Sequence, residues 1–556
     1  MKKRIAVLLC AALASSVQAS QAPKFYPDDP MLVDDALVDV PEKPEEIELS
    51  DLYDRFSHIF KDKGASPLGT EASNVNTLDE ALNGPWFENR HGSKRMSIEE
   101  LVQGPNRGEP PDPSEKWTVF QSKSQGLTPG FQIKDESGVR YIIKLDPVEV
   151  PEIASAAEVI ATKIFYALGY HVPENYVVRI HPDNFDIEPG TEVEDSYGDR
   201  STLTLFRLRR MLRNVPRGED GTIRVTASEY LPGAPLGPFR YYGTRTDDPN
   251  DIIPHEDRRE LRGLRLLAAW LNHDDTRAQN TQDSWVEENG KRHVRHFLLD
   301  FGSTFGSGTV DMQYPNLSFH YWLDPGLVKR NILGFGFHVP TYRKADWPEL
   351  PEYESVGRLE SELFDPVKWR NDYPNPAFVR MTARDAFWAA KILMKFTREE
   401  LAAIVETGEY SRPEDSRYFL DVLVARQAKS GRFGINAVNP LDEFRIEEGS
   451  LAWVNLSERY AFVEAETTYE IQWSAYDNGS GESQPIGGET TERTTEVRLP
   501  TAQPGGRFLV GEIRSRNAEN PHWAAAVRIY LRPNGRAYEI VGIERDGPEP
   551  STFPMN

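Results

Sequence analysis

From residue 117 the apolar positions come in short alternating runs, which is the period of strands. Trp117-Thr118-Val119-Phe120, Phe131-Gln132-Ile133 and the run Val139 to Leu145 each fit that period. The glycine-containing stretch from Lys123 to Gly130 and the turn Glu136-Ser137-Gly138 separate them. The period then lengthens. Ala156, Ile160, Ile164 and Leu168 recur at helical spacing, predicting a helix over Glu152 to Tyr170. Val172 to Ile180 and Thr222 to Tyr230 return to strand character. Leu261, Leu264, Leu267 and Leu271 mark one face of a helix over His255 to Leu271. Further helices are predicted at Thr382 to Met394, Thr397 to Glu406 and Asp415 to Ala428. The second of these opens with Thr397 and Glu400 as a capping box. Beyond about residue 436 the runs shorten again: Tyr460 to Val463, Tyr469 to Trp473, Thr495 to Leu499, Ala526 to Leu531 and Ala537 to Val541. With turns between them they predict about six or seven strands of a small β-sandwich.

These patterns predict an α+β chain in successive parts. Residues 20–115 are a polar extension, 116–235 a strand-rich unit with one central helix, 236–435 a helical unit, and 436–556 the β-sandwich-like unit. Two short helices are expected in the extension. Leu52 to Phe60 places Tyr53, Phe56 and Phe60 on one face, and Met96 to Val102 is capped by Ser97 with Glu100. The extension is expected to pack on the main body, with partial disorder as the alternative. Residues 181–200 read as an acidic solvated insertion. Leu203 to Val215 is basic through Arg207, Arg209, Arg210 and Arg213, suited to internal pairing, to an acidic acceptor or to covering a ligand. Leu231 to Pro238, with its prolines and glycines, is expected to break regular structure.

Candidate chemistry concentrates between Leu266 and Gly308. An apolar helix end leads into Asn272-His273-Asp274-Asp275, and Asn280 follows Asp275 by five residues. A turn at Glu288-Asn289-Gly290 precedes the short apolar run His296 to Leu299, which delivers Asp300-Phe301-Gly302. This arrangement resembles the catalytic core of the protein-kinase-like fold. Its loop lacks the His-Arg-Asp form, so it is more similar to the atypical branches: HipA-like, CotH-like and secretory-pathway Golgi casein-kinase-type kinases. The resemblance covers roughly residues 120 to 430 and implies a two-lobed core. It implies that Asp275 orients the acceptor, with Asp274 kept as an alternative, and that Asn280 and Asp300 hold Mg²⁺ or Mn²⁺ on the phosphates of ATP. It implies that Lys144 contacts the phosphates and pairs with Glu158, fourteen residues on, or with Glu152. Lys123, Ser124, Gly126 and Gly130 would cover the nucleotide, and 231–238 would link the lobes and receive the adenine. The glycine loop is not a GxGxxG, and no Ala-Pro-Glu follows Asp300.

The implied activity is transfer of the ATP γ-phosphoryl group to a hydroxyl of a protein, glycan or small-molecule acceptor. The alternatives are a kinase-like binding scaffold without turnover, a nucleotidyl transferase on the same fold, and a metal-dependent hydrolase using Asp274, Asp275 and Asp300. The C-terminal strands carry no catalytic pattern; protein contact, glycan contact or a scaffold role are their candidate functions.

Charge and the N-terminus narrow the setting. A net charge of -23 argues against non-specific binding to nucleic acid or an anionic membrane. Lys2, Lys3 and Arg4, the apolar run Ile5 to Ala14, and Val17-Gln18-Ala19 read as a secretory signal peptide cut after Ala19. That run is shorter than the ~20 residues of a membrane span. The expected location is therefore periplasmic or extracellular. Cys10 is the only cysteine and lies in the leader, so the mature chain has neither a disulfide nor a thiol nucleophile.

Overall fold

The computed structural model describes residues 22–61, 64, 66–122, 130–194, 200–333, 341–344, 355–500, 507–535 and 537–548. The predicted leader and the loop residues Lys123, Ser124 and Gly126 lie outside the described residues.

A six-stranded sheet occupies the first part of the main body. Its strand order is Asn175–Ile180, Ile223–Glu229, Arg140–Leu145, Gly130–Lys134, Trp117–Ser122 and Phe185–Ile187. Pairing is antiparallel except at the last edge, where Trp117 sits beside Phe185 in parallel register. Alternation along Arg140–Leu145 sends Tyr141, Ile143 and Leu145 into a core with Trp117, Phe131 and Val225. The stretch 203–215 closes that core through Leu203, Leu208 and Leu212. Within the stretch the helix is Leu205–Met211. Arg209 lies 3.7 Å from Asp183, and Arg207 donates to Ser201. Lys144 belongs to the opposite face of the sheet, where the helix Ile153–Leu168 follows.

The second part is helical. Arg259–Leu271, Ala383–Leu393, Arg398–Glu406 and Pro413–Ile435 share one large apolar core with the helix Ile153–Leu168. Gly434 permits a close approach, since a Cβ there would lie 2.5 Å from the Ala386 carbonyl oxygen. Residues 255–257 form a 3₁₀ turn before the helix begins at Arg259, and the last helix runs longer than its sequence pattern predicts. Leu231 to Pro238 does contain regular structure. Ala234–Gly237 pairs with Thr281–Glu288, and the Leu236 carbonyl accepts from the Ile47 N–H at 2.8 Å.

The C-terminal strands form two antiparallel sheets around a common core of Leu441, Leu451, Trp453, Ile471, Leu509 and Ile529. Pro485 lies in the edge strand Ser483–Glu492, where a missing N–H costs no central ladder bond. Tyr460 to Val463 is not a strand. Asn455 caps a short helix, Leu456–Arg459, and Ala461 turns left-handed so that Phe462 joins the helical core.

The extension packs across the whole chain. Phe25 joins a cluster with Tyr476, Val510 and Tyr530 on the C-terminal sheet. Trp86 and Phe87 enter the helical core. The helix Asp51–Phe60 reverses the usual polarity: Asp54 and His58 are buried, while Tyr53, Phe56 and Phe60 are exposed. Its inner side meets polar groups, namely Arg277, Asp372 and Tyr373, which explains why the polar face turns inward.

The extension is also tied in by charge. Asp79, 5% exposed and left-handed at φ 63°, accepts from Arg259 at 2.9 Å and from Arg384 at 2.6 Å. Arg259 reaches Asp385 on its other side at 2.7 Å. These guanidiniums hold the Asp79 carboxyl well below its usual range despite burial. Asp79→Asn keeps the left-handed turn accessible but removes the charge between the buried Arg259 and the half-buried Arg384. The expected outcome is a lower urea unfolding midpoint, a loss of about 3 kcal/mol; an unchanged midpoint would show that the network contributes no net stability.

Candidate active site

Lys144 sits one position before the end of its strand, directly opposite Gly130. Two residues on, Asp146 accepts from the Ser155 N–H at 2.9 Å and also from its hydroxyl. Arg224 donates to the same hydroxyl at 2.8 Å. This link ties the strand end to the first turn of the helix Ile153–Leu168 and sets its rotation. Glu158 then faces the sheet, 1% exposed, with Oε2 at 2.7 Å from Lys144 Nζ. Its Oε1 accepts from Asn175 Nδ2 at 3.3 Å, and Asn175 also donates to Thr162 at 2.7 Å. Both oxygens of this buried carboxylate are thus partnered, as burial requires. Glu152, the alternative partner, lies before the helix and accepts instead from the Ser411 N–H at 3.0 Å.

Asp300 arrives from the other part of the chain. The strands Thr281–Glu288 and Lys291–Leu298 form a hairpin, and Asp300 follows its second strand at φ 57°, ψ 66°. That left-handed turn, tolerated by Asp, carries the side chain to Lys144, with Oδ1 at 2.8 Å from Nζ. Each neighbour in Asp-Phe-Gly has its own packing reason. Phe301 stacks on Phe165, ring centres 4.9 Å apart, on the same helix as Glu158. A Cβ on Gly302 would lie 3.2 Å from Glu158 Oε2. Burial disfavours the Lys144 ammonium, but Asp300 and Glu158 outweigh it and raise its pKa, so the lysine stays charged.

The loop before the hairpin begins at Asn272, which ends the helix in the left-handed region. His273 packs against Phe165 and Phe301 and shares a hydrogen bond of 3.0 Å with the Thr304 hydroxyl. The Asp274 side chain is buried, and desolvation with the charges of Asp275 and Asp372 pushes its carboxyl well above the usual range. Asp275 is gripped by Arg277: Nε to Oδ1 is 2.6 Å and Nη2 to Oδ2 is 3.0 Å. Burial raises the Asp275 pKa, Arg277 pulls it back, and Asp300 adds to the rise. Asn280 donates from Nδ2 to the Asp275 carbonyl at 2.8 Å, while its own carbonyl accepts from the Leu299 N–H at 2.9 Å. It therefore joins the Asp275 loop to the residue immediately before Asp300.

Asn280 and Asp300 together offer a carboxamide and a partly open carboxylate, 37% exposed. Hard oxygen donors of this kind suit Mg²⁺ or Mn²⁺ when phosphates and water complete the shell. Among the described residues no group of three or more His, Cys, Asp or Glu side chains forms a metal cage. Of the residues read as phosphate contacts, Gly130 and Lys144 stand side by side. The backbone of Ala234–Gly237 pairs with the hairpin strand, and the extension occupies the Leu236 carbonyl, so these groups are not open to an adenine.

Several participants have no local signal in the sequence. Asp51 accepts from Arg277 at 3.2 Å across 226 residues. Arg55 pairs with Asp372 at 2.9 Å, and the Asp372 N–H donates to the Asp274 carbonyl at 3.0 Å. Burial raises Asp372 to about 6. Arg277 lies two residues from Asp275, whereas its partner Asp51 on the extension lies 226 residues away.

No protein-family profile matches the chain, and no curated protein sequence matches it. Among solved structures the chain is similar to a Golgi casein kinase crystallised with Mn and ADP bound, at 9% identity and a TM-score of 0.27. That alignment covers 61% of this chain and 74% of the other. A second Golgi casein kinase structure is similar at 9% identity and a TM-score of 0.26, over 74% of this chain and 94% of the other. The similarity is distant, and the chemical argument stands on this chain's own geometry.

His273 provides a pH test of the packing behind the site. Burial lowers its pKa from 6.5 to about 4, so the folded state keeps the ring neutral. Its contribution to stability is whole above pH 6.5 and is lost as pH falls towards about 4. The loss is on the order of 3 kcal/mol. His273→Gln is expected to flatten the fall in unfolding midpoint across that window relative to the parent chain. Parallel profiles would mean that His273 does not titrate with folding.

Proposed function

We propose that this chain is an exported phosphotransferase that moves the γ-phosphoryl group of ATP to an acceptor hydroxyl. The observation that carries the reading is Lys144 held between Glu158 and Asp300, at 2.7 and 2.8 Å. A structural ion pair needs one carboxylate. Here two converge on one ammonium from separate elements, and one of them remains partly open beside Asn280. Export is part of the proposal and rests on the leader-like pattern of residues 2–19.

In this reading Lys144 contacts the phosphates while Glu158 keeps it aimed. Asn280 and Asp300 would hold Mg²⁺ or Mn²⁺, whose charge offsets that of the phosphates. The acceptor oxygen forms a bond to the γ-phosphorus as the bond to the β–γ bridging oxygen breaks, and ADP leaves. Asp275 orients the acceptor hydroxyl and receives its proton. Arg277 lowers the Asp275 pKa in a site where burial and Asp300 raise it. The same grip favours a second reading, a nucleotide-binding module without turnover, because both Asp275 oxygens are already held.

Calorimetry of the mature chain with ATP and Mg²⁺ or Mn²⁺, followed by a turnover assay, tests the proposal. Metal-dependent nucleotide binding is expected, with Lys144→Met and Asp300→Ala each lowering turnover by about 100-fold or more while circular dichroism stays unchanged. Absence of nucleotide binding by folded protein would overturn it, and binding without turnover would select the second reading. Arg277→Gln removes the charge that lowers the Asp275 pKa, so the acid limb of the rate profile is expected to move to higher pH. An unmoved limb would exclude Asp275 as the titrating base.

A further inference from the structure

A cavity of about 320 Å³ lies beside the start of the candidate catalytic loop, apart from Lys144 and Asp300. Asn272, Ser318, Phe319, Tyr342, Arg358 and Arg426 are among its lining residues. The wall is tied to the loop through Asn272. Its Nδ2 donates to Gln313 at 2.9 Å, and its Oδ1 accepts from Trp369 at 3.2 Å and from Arg426 at 3.3 Å.

The charged groups around this cavity are partnered in different ways among the described residues. Lys368 pairs with Asp365 at 2.8 Å, Arg330 lies 4.0 Å from Asp324, and the Glu360 carboxylate accepts from the Leu363 N–H at 2.8 Å. Among the described residues the hydrogen bonds of Arg358 and Arg426 go only to neutral acceptors, although the Glu360 carboxylate also acts on Arg426. Arg358 donates to the Gln313 carbonyl at 2.6 Å. Arg426, 3% exposed, donates to the carbonyls of Trp270, Glu360 and Ala269. Behind the wall, Arg265 and Arg370 likewise meet carbonyls, both reaching Val367. Burial lowers Arg426 to about 9, and the Glu360 carboxylate offsets this only in part. The Ser318 hydroxyl is buried with no hydrogen-bond partner. Aromatic rings line the remaining space, with Phe319 and Tyr342 at 6.4 Å.

We propose that this cavity binds a small organic oxyanion, a phosphate monoester or a carboxylate carried on a ring-sized body. Arg358 supplies the charge-assisted hydrogen bonds, Arg426 supplies positive potential from behind, Ser318 supplies a donor, and the aromatic rings take the body. The volume falls in the range of small-molecule pockets. The proposal concerns binding alone and does not depend on phosphoryl transfer. Where both hold, the proximity of Asn272 to Asp275 makes the cavity an acceptor subsite.

The test uses the full chain without nucleotide or metal. Phenyl phosphate, benzoate and phenol are titrated separately by calorimetry into the parent chain, Arg358→Gln, Arg330→Gln and Lys144→Met. One or both anions are expected to bind at one site and phenol not to bind; which anion binds identifies the head group. Arg358→Gln is expected to weaken the anion about tenfold and Arg330→Gln by less, with no change in Lys144→Met. Arg330 lies on an exposed helix, so its variant keeps the test open if Arg358→Gln misfolds. Binding lost in Lys144→Met but kept in Arg358→Gln would place the anion at the nucleotide site and overturn the proposal. Equal binding of phenol, or no binding of either anion at millimolar concentration, would overturn it as well.

Discussion

The arrangement depends on one buried ammonium shared by two carboxylates. Lys144 comes from a strand end, Glu158 from the middle of a helix and Asp300 from the end of a hairpin 156 residues away. Opposite charges at these distances attract strongly only where water is excluded, and exclusion makes a missing partner costly. The triad therefore constrains its surroundings. The helix must start in register, which Asp146, Ser155 and Arg224 secure. The second Glu158 oxygen must be satisfied, which Asn175 does. The hairpin end must stay against the helix, which Phe301 and Phe165 ensure.

A second balance governs the neighbouring loop. Burial raises the pKa of Asp274, Asp275 and Asp372; Asp275 and Asp372 add to the rise at Asp274, Asp300 to that at Asp275, and Asp275 to that at Asp372. Arg277 and Arg55 offset that accumulation, and Asp51 in turn engages Arg277. The N-terminal extension is accordingly part of the electrostatics of the site. Its helix Asp51–Phe60 turns its polar side inward because the surface beneath it is a charged loop rather than an apolar core.

Legibility followed the range of the interaction. The strand carrying Lys144 and the helix carrying Glu158 were readable because their apolar positions repeat within a few residues. The turn at Asn289-Gly290 was readable because its residues tolerate a left-handed backbone. Local reading failed where a local pattern was overruled. Tyr460 to Val463 has strand character, yet the Asn455 cap and the pull of Phe462 towards the helical core make it a helix end. Leu231 to Pro238 looks like punctuation, yet Ala234–Gly237 finds a strand to pair with far along the chain.

The sequence by itself determined the residue types, their spacing within each element and the faces on which they lie. That was enough to single out Lys144, Glu158, Asp275, Asn280 and Asp300. Only the tertiary structure decided that Lys144 touches both Glu158 and Asp300, that Asp275 is held by Arg277 with Asp51 behind it, and that Arg358 and Arg426 line a cavity beside Asn272. The physical reason is the same in each case. Periodicity and capping are set by neighbours a few residues apart. Charge compensation, desolvation and cavity shape draw in groups from as far apart as Asp51 and Arg277, 226 residues, and they exist only once the chain has closed on itself.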